Sequence, residues 1–321
     1  MHIVILDGKV LNPGDVTWAP IQELGHVTIF DDTTHEQLAD RIHGQQVVLV
    51  NKTLLQKADI PLFQDVKLIC ALATGYNNID VAAFGQAKIP VCNVVAYGVE
   101  DVAQHAMAML LELCRSTTLH SNSVKSGDWT KSGSWCYWLK TPICLKGLTL
   151  GIIGFGAIGQ CMGRLGHAFG MRVLALSHSP KPAPDYTPFA FVNSLDELLA
   201  EADVISLHCP LTQETKHIID AKALANMRRG AILLNTARGP LLDEAACAEA
   251  LTSGQLGGLG VDVLAIEPPT ADNPLLHAPN TIITPHIAWA TTHARQRIID
   301  LTAKNIRQWR DGQPINVVNN V

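Results

Sequence analysis

The stretch TLGIIGFGAIGQCMGRLGHAFG, residues 149–170, decides the fold of this 321-residue chain. An apolar run typical of a β-strand leads directly into Gly154, Gly156 and Gly159, which have the spacing GxGxxG, and a helical pattern follows. Gly154 permits the tight turn, Gly156 lets backbone approach a pyrophosphate, and Gly159 lets helix and strand pack closely. The motif therefore predicts dinucleotide binding, and the alternative is a strand-to-helix turn with a purely structural role.

The helix that follows this turn begins at about Ala157 and Ile158. Backbone amides at a helix N-terminus point outward and lie at the positive end of the helix dipole, so they bind phosphate oxygens. We expect these two residues to contact the pyrophosphate of the cofactor.

Short apolar runs alternate with helical patterns on both sides of this loop. Alternation of strand and helix predicts parallel sheets. We therefore expect an α/β protein with two Rossmann-like or flavodoxin-like parallel-sheet domains and a cleft between them. The predicted strands are HIVILD, HVTIF, QVVLVN, KLICAL and VCNVV in the first hundred residues, and TLGIIG, RVLALS, VISLHC, AILLNT, GLGVDV and TIITPH after residue 148; two long helices are predicted at DVAQHAMAMLLELCRSTTL and THARQRIIDLTAKNIRQWRDG.

Three polar residues each follow a predicted strand of the second series. Arg238 follows AILLNTA, Glu267 follows GVDVLAI, and His286 follows TIITP. Open parallel sheets bind their ligands outside the carboxyl ends of the strands, so the three side chains are expected to converge. Each residue alone has a structural explanation: a cation that caps carbonyls, a surface acid, and a core histidine.

The three side chains have complementary chemistry. A histidine supplies the proton that a carbonyl oxygen needs when hydride reaches the carbon. A carboxylate beside the imidazole favours its charged form and fixes its orientation, and an arginine binds a carboxylate or polarises a carbonyl. Together they predict nicotinamide-dependent reduction of a 2-oxo acid.

The second strand of the nucleotide-binding unit ends in Ser177, His178 and Ser179, where an acidic residue would favour NAD. Hydroxyl groups, an imidazole and the nearby Lys181 suit a 2′-phosphate. NAD(P) is the expected cofactor, and NADPH is favoured over NADH.

Composition limits the remaining possibilities. A net charge of -5 argues against nucleic-acid binding, which needs a basic face. No apolar run is long enough to span a membrane, and the N-terminus lacks the features of a signal peptide, so we predict a cytoplasmic protein. The eight cysteines form no CxxC pair and the histidines form no HExxH motif, so neither disulfides nor a metal site are expected.

Residues 120–147 differ from the rest of the chain, because three tryptophans occur in a polar, glycine-containing segment with no strand or helix pattern. Trp129, Trp135 and Trp138 suggest a surface that a second subunit covers. We predict a homodimer through this segment, and the alternative is a loop folded back on its own domain.

The chain resembles the D-isomer-specific 2-hydroxyacid dehydrogenases, and within them it is most similar to glycerate dehydrogenases, also called hydroxypyruvate reductases. The resemblance is carried by GIIGFGAIGQ, SLHCPLTQETKHIID, MRRGAILLNTARGPLLDE, GGLGVDVLAIEPP, NTIITPHIAWAT and CALATGYNNID. It implies a substrate domain built from residues 1–99 and 288–321, and a nucleotide-binding domain at 100–287 that carries a dimerisation arm at 120–147.

The resemblance also implies roles for individual residues. Arg238 would anchor the substrate, Glu267 would pair with the histidine, and His286 would be the general acid. Backbone amides of Thr74 and Gly75 would hold the substrate carboxylate, and Asp262 would face the nicotinamide carboxamide. Residues lining the cofactor groove would be His208, Pro210, Thr215, Thr236 and Ala237.

The activity implied is reduction of hydroxypyruvate or glyoxylate to the D-2-hydroxy acid. A 2-oxo acid reductase of broad specificity is the nearest alternative. A second alternative, from another class, is a non-catalytic protein that senses NADH and binds a partner.

Overall fold

The computed structural model describes residues 1–321, which form two compact units, one of Met1–Gly98 with Trp289–Val321 and one of Val99–Ala288. The first unit contains a sheet of five parallel strands in the order β2-β1-β3-β4-β5, the order found in flavodoxin. Its elements up to Gly98 are β1 (His2–Ile5), α1 (Ala19–Gln22), β2 (His26–Ile29), α2 (His35–Ile42), β3 (Val47–Val50), β4 (Leu68–Ala71), α3 (Val81–Gln86) and β5 (Val91–Cys92), with a 3₁₀ helix at Lys57–Leu62.

All five strands that the sequence predicts in this unit are present. Every residue of β3 and β4 is buried, because both strands lie inside a parallel sheet with both faces covered. This explains why their sequences are continuous apolar runs with no alternation.

The second unit contains seven parallel strands in the order β12-β11-β10-β9-β6-β7-β8. Its elements are α4 (Val99–Arg115), α5 (Thr117–Lys125), α6 (Asp128–Ser132), β6 (Thr149–Ile153), α7 (Ala157–Ala168), β7 (Arg172–Leu176), β8 (Phe189–Phe191), α8 (Leu195–Glu201), β9 (Val204–Leu207), α9 (Ala221–Asn226), β10 (Ala231–Asn235), α10 (Glu244–Thr252), β11 (Leu256–Val261) and β12 (Thr281–Ile283), with 3₁₀ helices at Gly239–Leu241 and Pro274–Leu276.

This strand order reverses between β6 and β9, which lie side by side although they are distant in the chain. In open α/β sheets the ligand binds outside the carboxyl ends of the strands at such a reversal. The turn after β6 is the glycine-rich turn, so the predicted cofactor loop lies at this position.

The six strands predicted in this unit are confirmed, and β8 is an additional edge strand. Its sequence, FAF, is too short and too close to the prolines before it to be recognised from the sequence. Both faces of the sheet are covered, with α4 and α7 packed in the core of one face and α8, α9 and α10 in the core of the other.

The segment 120–147, expected to lack regular structure, contains most of α5 and all of α6. The predicted long helix ends at Arg115, where Ser116 has a φ of 46°, and the chain continues as α5 in a new direction. A left-handed residue interrupts the helical hydrogen bonds without any proline or glycine to mark the break, so the sequence pattern runs on through it.

The last helix, α11 (Thr292–Arg310), belongs to the first unit. Nη1 and Nη2 of its Arg295 each lie 2.6 Å from a different oxygen of Asp15, which is the bidentate arrangement of a strong ion pair. The Asp15 carboxyl pKa is lowered, first by the hydrogen bond from Arg295. None of the helices combines the length and the apolar character that crossing a bilayer requires.

Candidate active site

The glycine-rich turn has the geometry that the sequence predicts. Gly154 has a φ of 95°, and a Cβ atom built on it would lie 2.5 Å from the Cys209 amide nitrogen. A Cβ on Gly159 would lie 2.2 Å from the Gly154 carbonyl oxygen, so α7 packs directly on the turn. Any side chain at either position would have to displace backbone.

Gly156 differs from these two glycines, because a Cβ built on it would meet no atom within 4 Å. It is also the N-cap of α7, and no side chain caps this helix. Ala157 and Ile158 therefore begin a helix whose first turn faces open space, which fits a phosphate group.

The end of the neighbouring strand β9 approaches the same turn. The amide of His208 donates to the Ile153 carbonyl at 2.8 Å, and its Nε2 lies 2.8 Å from Oγ of Ser206. Burial lowers the pKa of His208 to about 4, so the ring is neutral at physiological pH. After it, Oγ1 of Thr215 donates to the Pro210 carbonyl at 2.7 Å and holds the loop between them closed.

The end of β10 is a tight polar turn. Asn235, fully buried, donates from its side chain to the Arg238 carbonyl at 2.8 Å and accepts from the Ala237 amide at 3.0 Å. Nη1 of Arg238 donates to the Ala237 carbonyl at 2.7 Å. Oγ1 of Thr236 is buried and has no hydrogen-bond partner, so a polar group of a bound molecule would satisfy it.

Glu267 and His286 are in direct contact. Oε2 of Glu267 lies 2.6 Å from Nδ1 of His286, and Oε1 accepts from the Leu264 amide at 3.0 Å. The His286 side chain is 31% exposed and that of Glu267 is 35% exposed, so the pair is reachable from solvent. Because a carboxylate only accepts, Nδ1 carries the hydrogen in this contact.

Arg238 is linked to this pair through the backbone. The residue after it, Gly239, packs closely on the loop that follows β11. A Cβ atom built on Gly239 would lie 1.9 Å from the Leu264 carbonyl carbon. Leu264 is the residue whose amide binds Glu267. The three strand-end residues predicted from the sequence therefore sit on adjoining segments, after β10, β11 and β12.

Asp262 is buried, with 1% of its surface exposed, and binds the segment that carries His286. One oxygen accepts from the Ile287 amide and the other from the Ala288 amide, both at 2.8 Å. Oγ1 of Thr284 also donates to it at 2.6 Å. The family resemblance implies a role for Asp262 toward the nicotinamide carboxamide, and these contacts give it a structural role as well.

The end of β7 offers hydroxyl groups and no acid. Oγ of Ser177 donates to the Ser179 carbonyl at 2.8 Å, while His178 and Ser179 are exposed. The loop then runs to Tyr186, which is buried in the core of the second unit and stacks on His167 with ring centroids 4.8 Å apart.

The predicted substrate loop lies in the first unit, after β4. Oγ1 of Thr74 donates to the Val94 carbonyl at 2.7 Å, and the Asn93 side chain donates to the Thr74 carbonyl at 2.8 Å. Together with Gly75, these residues form a turn fixed by side-chain hydrogen bonds at the carboxyl end of the sheet.

Three residues that hold the site in shape escape sequence reasoning: Asn235, Thr284 and His105. Asn235 is a polar residue at the end of an apolar strand, and this position alone would have indicated that it holds the turn after β10. His105 lies on α4, 179 positions before its partner Thr284. No local pattern predicts that contact.

A dinucleotide loop at the strand reversal, and a histidine held by a carboxylate beyond neighbouring strand ends, define the class: a nicotinamide-dependent oxidoreductase. A family model described as "D-isomer specific 2-hydroxyacid dehydrogenase, NAD binding domain" matches residues 107–288. The chain belongs to the D-isomer-specific 2-hydroxyacid dehydrogenase family.

Individual relatives agree with this assignment. The chain is 42% identical to a hydroxypyruvate reductase of Blautia hydrogenotrophica, over 99% of this chain and 100% of the relative. It is 40% identical to a glycerate dehydrogenase of Methylorubrum extorquens, over 89% of each. Among solved structures, D-lactate dehydrogenase from Aquifex aeolicus complexed with NAD and lactic acid superposes with a TM-score of 0.83 at 29% identity, covering 98% of this chain and 96% of that one.

Proposed function

We propose that this protein reduces a small 2-oxo acid with a nicotinamide cofactor, either hydroxypyruvate to the D-2-hydroxy acid or glyoxylate to glycolate, which has no stereocentre. The contact between Glu267 and His286 carries the proposal, because it orients His286 as a proton donor beyond the carboxyl ends of the strands, where open α/β sheets bind their ligands. The names of the two relatives, hydroxypyruvate reductase and glycerate dehydrogenase, describe the interconversion of the same pair of compounds in opposite directions.

The residues around the glycine-rich turn and Thr236 fit a dinucleotide, which when bound supplies a hydride. His286 gives a proton to the carbonyl oxygen as the hydride reaches the carbonyl carbon. The proton leaves from Nε2, the ring nitrogen that Glu267 does not hold, and Glu267 stabilises the imidazolium before transfer. Hydride and proton together convert the carbonyl group into the alcohol.

Arg238 and the loop after β4 hold the substrate in this scheme. The guanidinium of Arg238 binds the 2-oxo acid and stays charged throughout. Backbone amides of Thr74 and Gly75 bind the substrate carboxylate. In this proposal a substrate domain of residues 1–99 with 288–321 binds the substrate, and a nucleotide-binding domain of residues 100–287 binds the cofactor.

The remaining residues of the cofactor groove have defined tasks. Gly154 and Gly159 shape the pyrophosphate-binding turn, and Gly156, Ala157 and Ile158 contact the pyrophosphate. The segments that follow β9, β10 and β11 line the groove toward the nicotinamide. Their residues in the groove are His208, Pro210, Thr215, Thr236, Ala237 and Asp262.

For the cofactor we favour NADPH over NADH. Ser177 occupies the position where a carboxylate would repel a 2′-phosphate, and Lys181 follows in the same exposed loop. Replacing Ser177 with Asp is expected to shift the ratio of kcat/KM values for NADPH and NADH toward NADH. An unchanged ratio would overturn the preference.

We also propose that residues 120–147 form a homodimer interface. Trp135 is 90% exposed and Trp138 64% exposed, and Leu139 and Trp129 add further exposed apolar surface. Sedimentation of the wild type and of a Trp135→Ser, Trp138→Ser variant tests this, with dimer expected for the first and monomer for the second. A monomeric wild type would refute it.

A cytosolic location is part of the proposal. The eight cysteines are all free, and five of them are buried, as expected for thiols kept reduced. The acidic net charge gives no reason to expect a nucleic-acid partner.

The decisive experiment is steady-state kinetics with hydroxypyruvate, glyoxylate, pyruvate and longer 2-oxo acids, each with NADPH and NADH, followed at 340 nm. The proposal expects the highest kcat/KM with hydroxypyruvate or glyoxylate. Similar values across the panel would instead identify a reductase of broad specificity. The absence of turnover with every 2-oxo acid would instead favour the alternative of a non-catalytic protein that senses the cofactor.

A further inference from the structure

Three consecutive backbone amides of the segment that carries His286 converge on one residue. The His286 amide donates to the carbonyl of Asp262 at 2.9 Å, and the amides of Ile287 and Ala288 donate to its two carboxylate oxygens at 2.8 Å. Asp262 lies directly after β11, which is the second of the seven strands and lies between β10 and β12. The position of the whole segment therefore depends on where this carboxylate is held.

The segment needs such support because His286 has a φ of 55°. A left-handed backbone at a residue other than glycine costs on the order of 1 kcal/mol and persists only where the surroundings impose it. The conformation aims the side chain of His286 at Glu267. A segment released from Asp262 would relax toward ordinary backbone angles and carry the imidazole with it.

Asp262 is itself held by Thr284. Oγ1 of Thr284 lies 2.6 Å from Oδ1 of Asp262 and 2.9 Å from Nε2 of His105. A carboxylate only accepts, so the single hydroxyl hydrogen goes to Asp262 and the hydroxyl oxygen accepts from His105. This fixes Nε2 of His105 as the nitrogen that carries hydrogen.

His105 is well placed to hold this chain of hydrogen bonds. It lies on α4, a 17-residue helix whose buried residues pack in the core of the second unit. Its Nε2 is also 3.6 Å from Oδ1 of Asp262. A donor on a rigid helix fixes its acceptor better than one on a loop.

We propose that His105 and Thr284 are positioning residues for His286, acting through Asp262. The proposal rests on the proposed function, since it assigns His286 the proton transfer. Donation runs from His105 to Thr284 to Asp262, and the carboxylate in turn orders the amides that set the left-handed backbone of the acid.

The test compares variants that differ by one hydrogen-bonding group. Thr284→Val removes the hydroxyl and keeps the shape, and Thr284→Ser keeps the hydroxyl. His105→Leu removes the donor, and His105→Gln keeps an N–H at similar reach. Thr281→Val is the matched control, because Thr281 starts β12, the strand that Thr284 directly follows, and its hydroxyl bonds only the Pro279 carbonyl.

We measure kcat and KM for hydroxypyruvate, the dissociation constant of the reduced cofactor, and the solvent deuterium isotope effect on kcat. Fluorescence titration with the cofactor gives the concentration of folded protein that binds it, and kcat is calculated from that concentration. Thr284→Val and His105→Leu are expected to lower kcat about 10- to 100-fold, with KM and cofactor affinity within about twofold of wild type. The isotope effect is expected to rise, because proton delivery then limits turnover.

Thr284→Ser and His105→Gln should recover most of this loss, and Thr281→Val should match the wild type. Partial unfolding would lower the number of cofactor sites and leave the isotope effect unchanged, so that pattern would overturn the proposal. Equal loss in Thr284→Ser and Thr284→Val would overturn it too. A wild type inactive on every 2-oxo acid overturns both proposals, whereas an active wild type with unaffected variants overturns this one alone.

Discussion

Glu267 bridges His286 and the backbone of its own turn, with Oε2 2.6 Å from Nδ1 of the histidine and Oε1 3.0 Å from the Leu264 amide. Both carboxylate oxygens are thus occupied. The carboxylate cannot rotate without breaking one bond, so it fixes the plane of the imidazole as well as favouring its charge. The proposed chemistry depends on this orientation.

Replacing His286 with Ala removes the proton donor. We expect kcat to fall about 10²- to 10⁴-fold, the usual contribution of general acid catalysis, while cofactor affinity is retained because the glycine-rich turn is untouched. His277→Ala is the matched control, since His277 is an exposed histidine of the same unit. Turnover near the wild-type value would mean that another group supplies the proton.

Replacing Glu267 with Gln keeps an oxygen that accepts from Nδ1 but removes the negative charge. We expect kcat to fall about 10- to 100-fold with a smaller change in KM, because the charge stabilises the imidazolium and contributes little to ground-state binding. The exposed Glu249→Gln serves as control. If Glu267→Gln were as active as Glu249→Gln, the role of Glu267 would be restricted to its hydrogen bond with the Leu264 amide.

Replacing Arg238 with Lys keeps the charge and loses the planar fork. One arm of the guanidinium donates to the Ala237 carbonyl, which sets its direction, and a lysine cannot reproduce that contact while binding a carboxylate. We expect kcat/KM for hydroxypyruvate to fall about 100-fold, on the order of 3 kcal/mol. Arg229→Lys, on the amino side of β10, should have no effect, and a harmless Arg238→Lys would exclude bidentate binding.

The sequence predicts most of the strands and the direct pair at the site, because both depend on local signals. Eleven of the twelve strands lie in mainly apolar runs bounded by turns. Glu267 and His286 each follow such a run, so parallel pairing alone brings their segments together. The break at Ser116 and the support from His105 depend on backbone torsion and on contacts far apart in the chain, which leave no periodic trace.

The Tyr186 hydroxyl packs against a residue that is distant in the chain, another relationship that leaves no local signal in the sequence. It is buried without a partner, and a Cβ on Gly163 of α7 would lie 2.3 Å from it. We expect Gly163→Ala to destabilise the protein by about 1 to 3 kcal/mol through overpacking. Adding Tyr186→Phe removes the obstructing atom and should restore much of this, so thermal melting of the two single variants and the double variant should show non-additivity.

Acid should weaken the fold through His208. Burial lowers the pKa of its ring from 6.5 to about 4 in the folded state. Below pH 6.5 the unfolded chain therefore binds a proton that the folded chain does not, and stability is lost as the pH falls from 6.5 toward 4. The ring is half-buried, so water offsets part of the penalty, and we expect a loss of about 1 to 2 kcal/mol. Melting temperatures of the cofactor-free wild type and of His208→Gln, compared at pH 7.5 and 5.0, isolate this contribution: the wild type should lose more than the variant, and equal losses would show that the histidine is solvated in the folded protein.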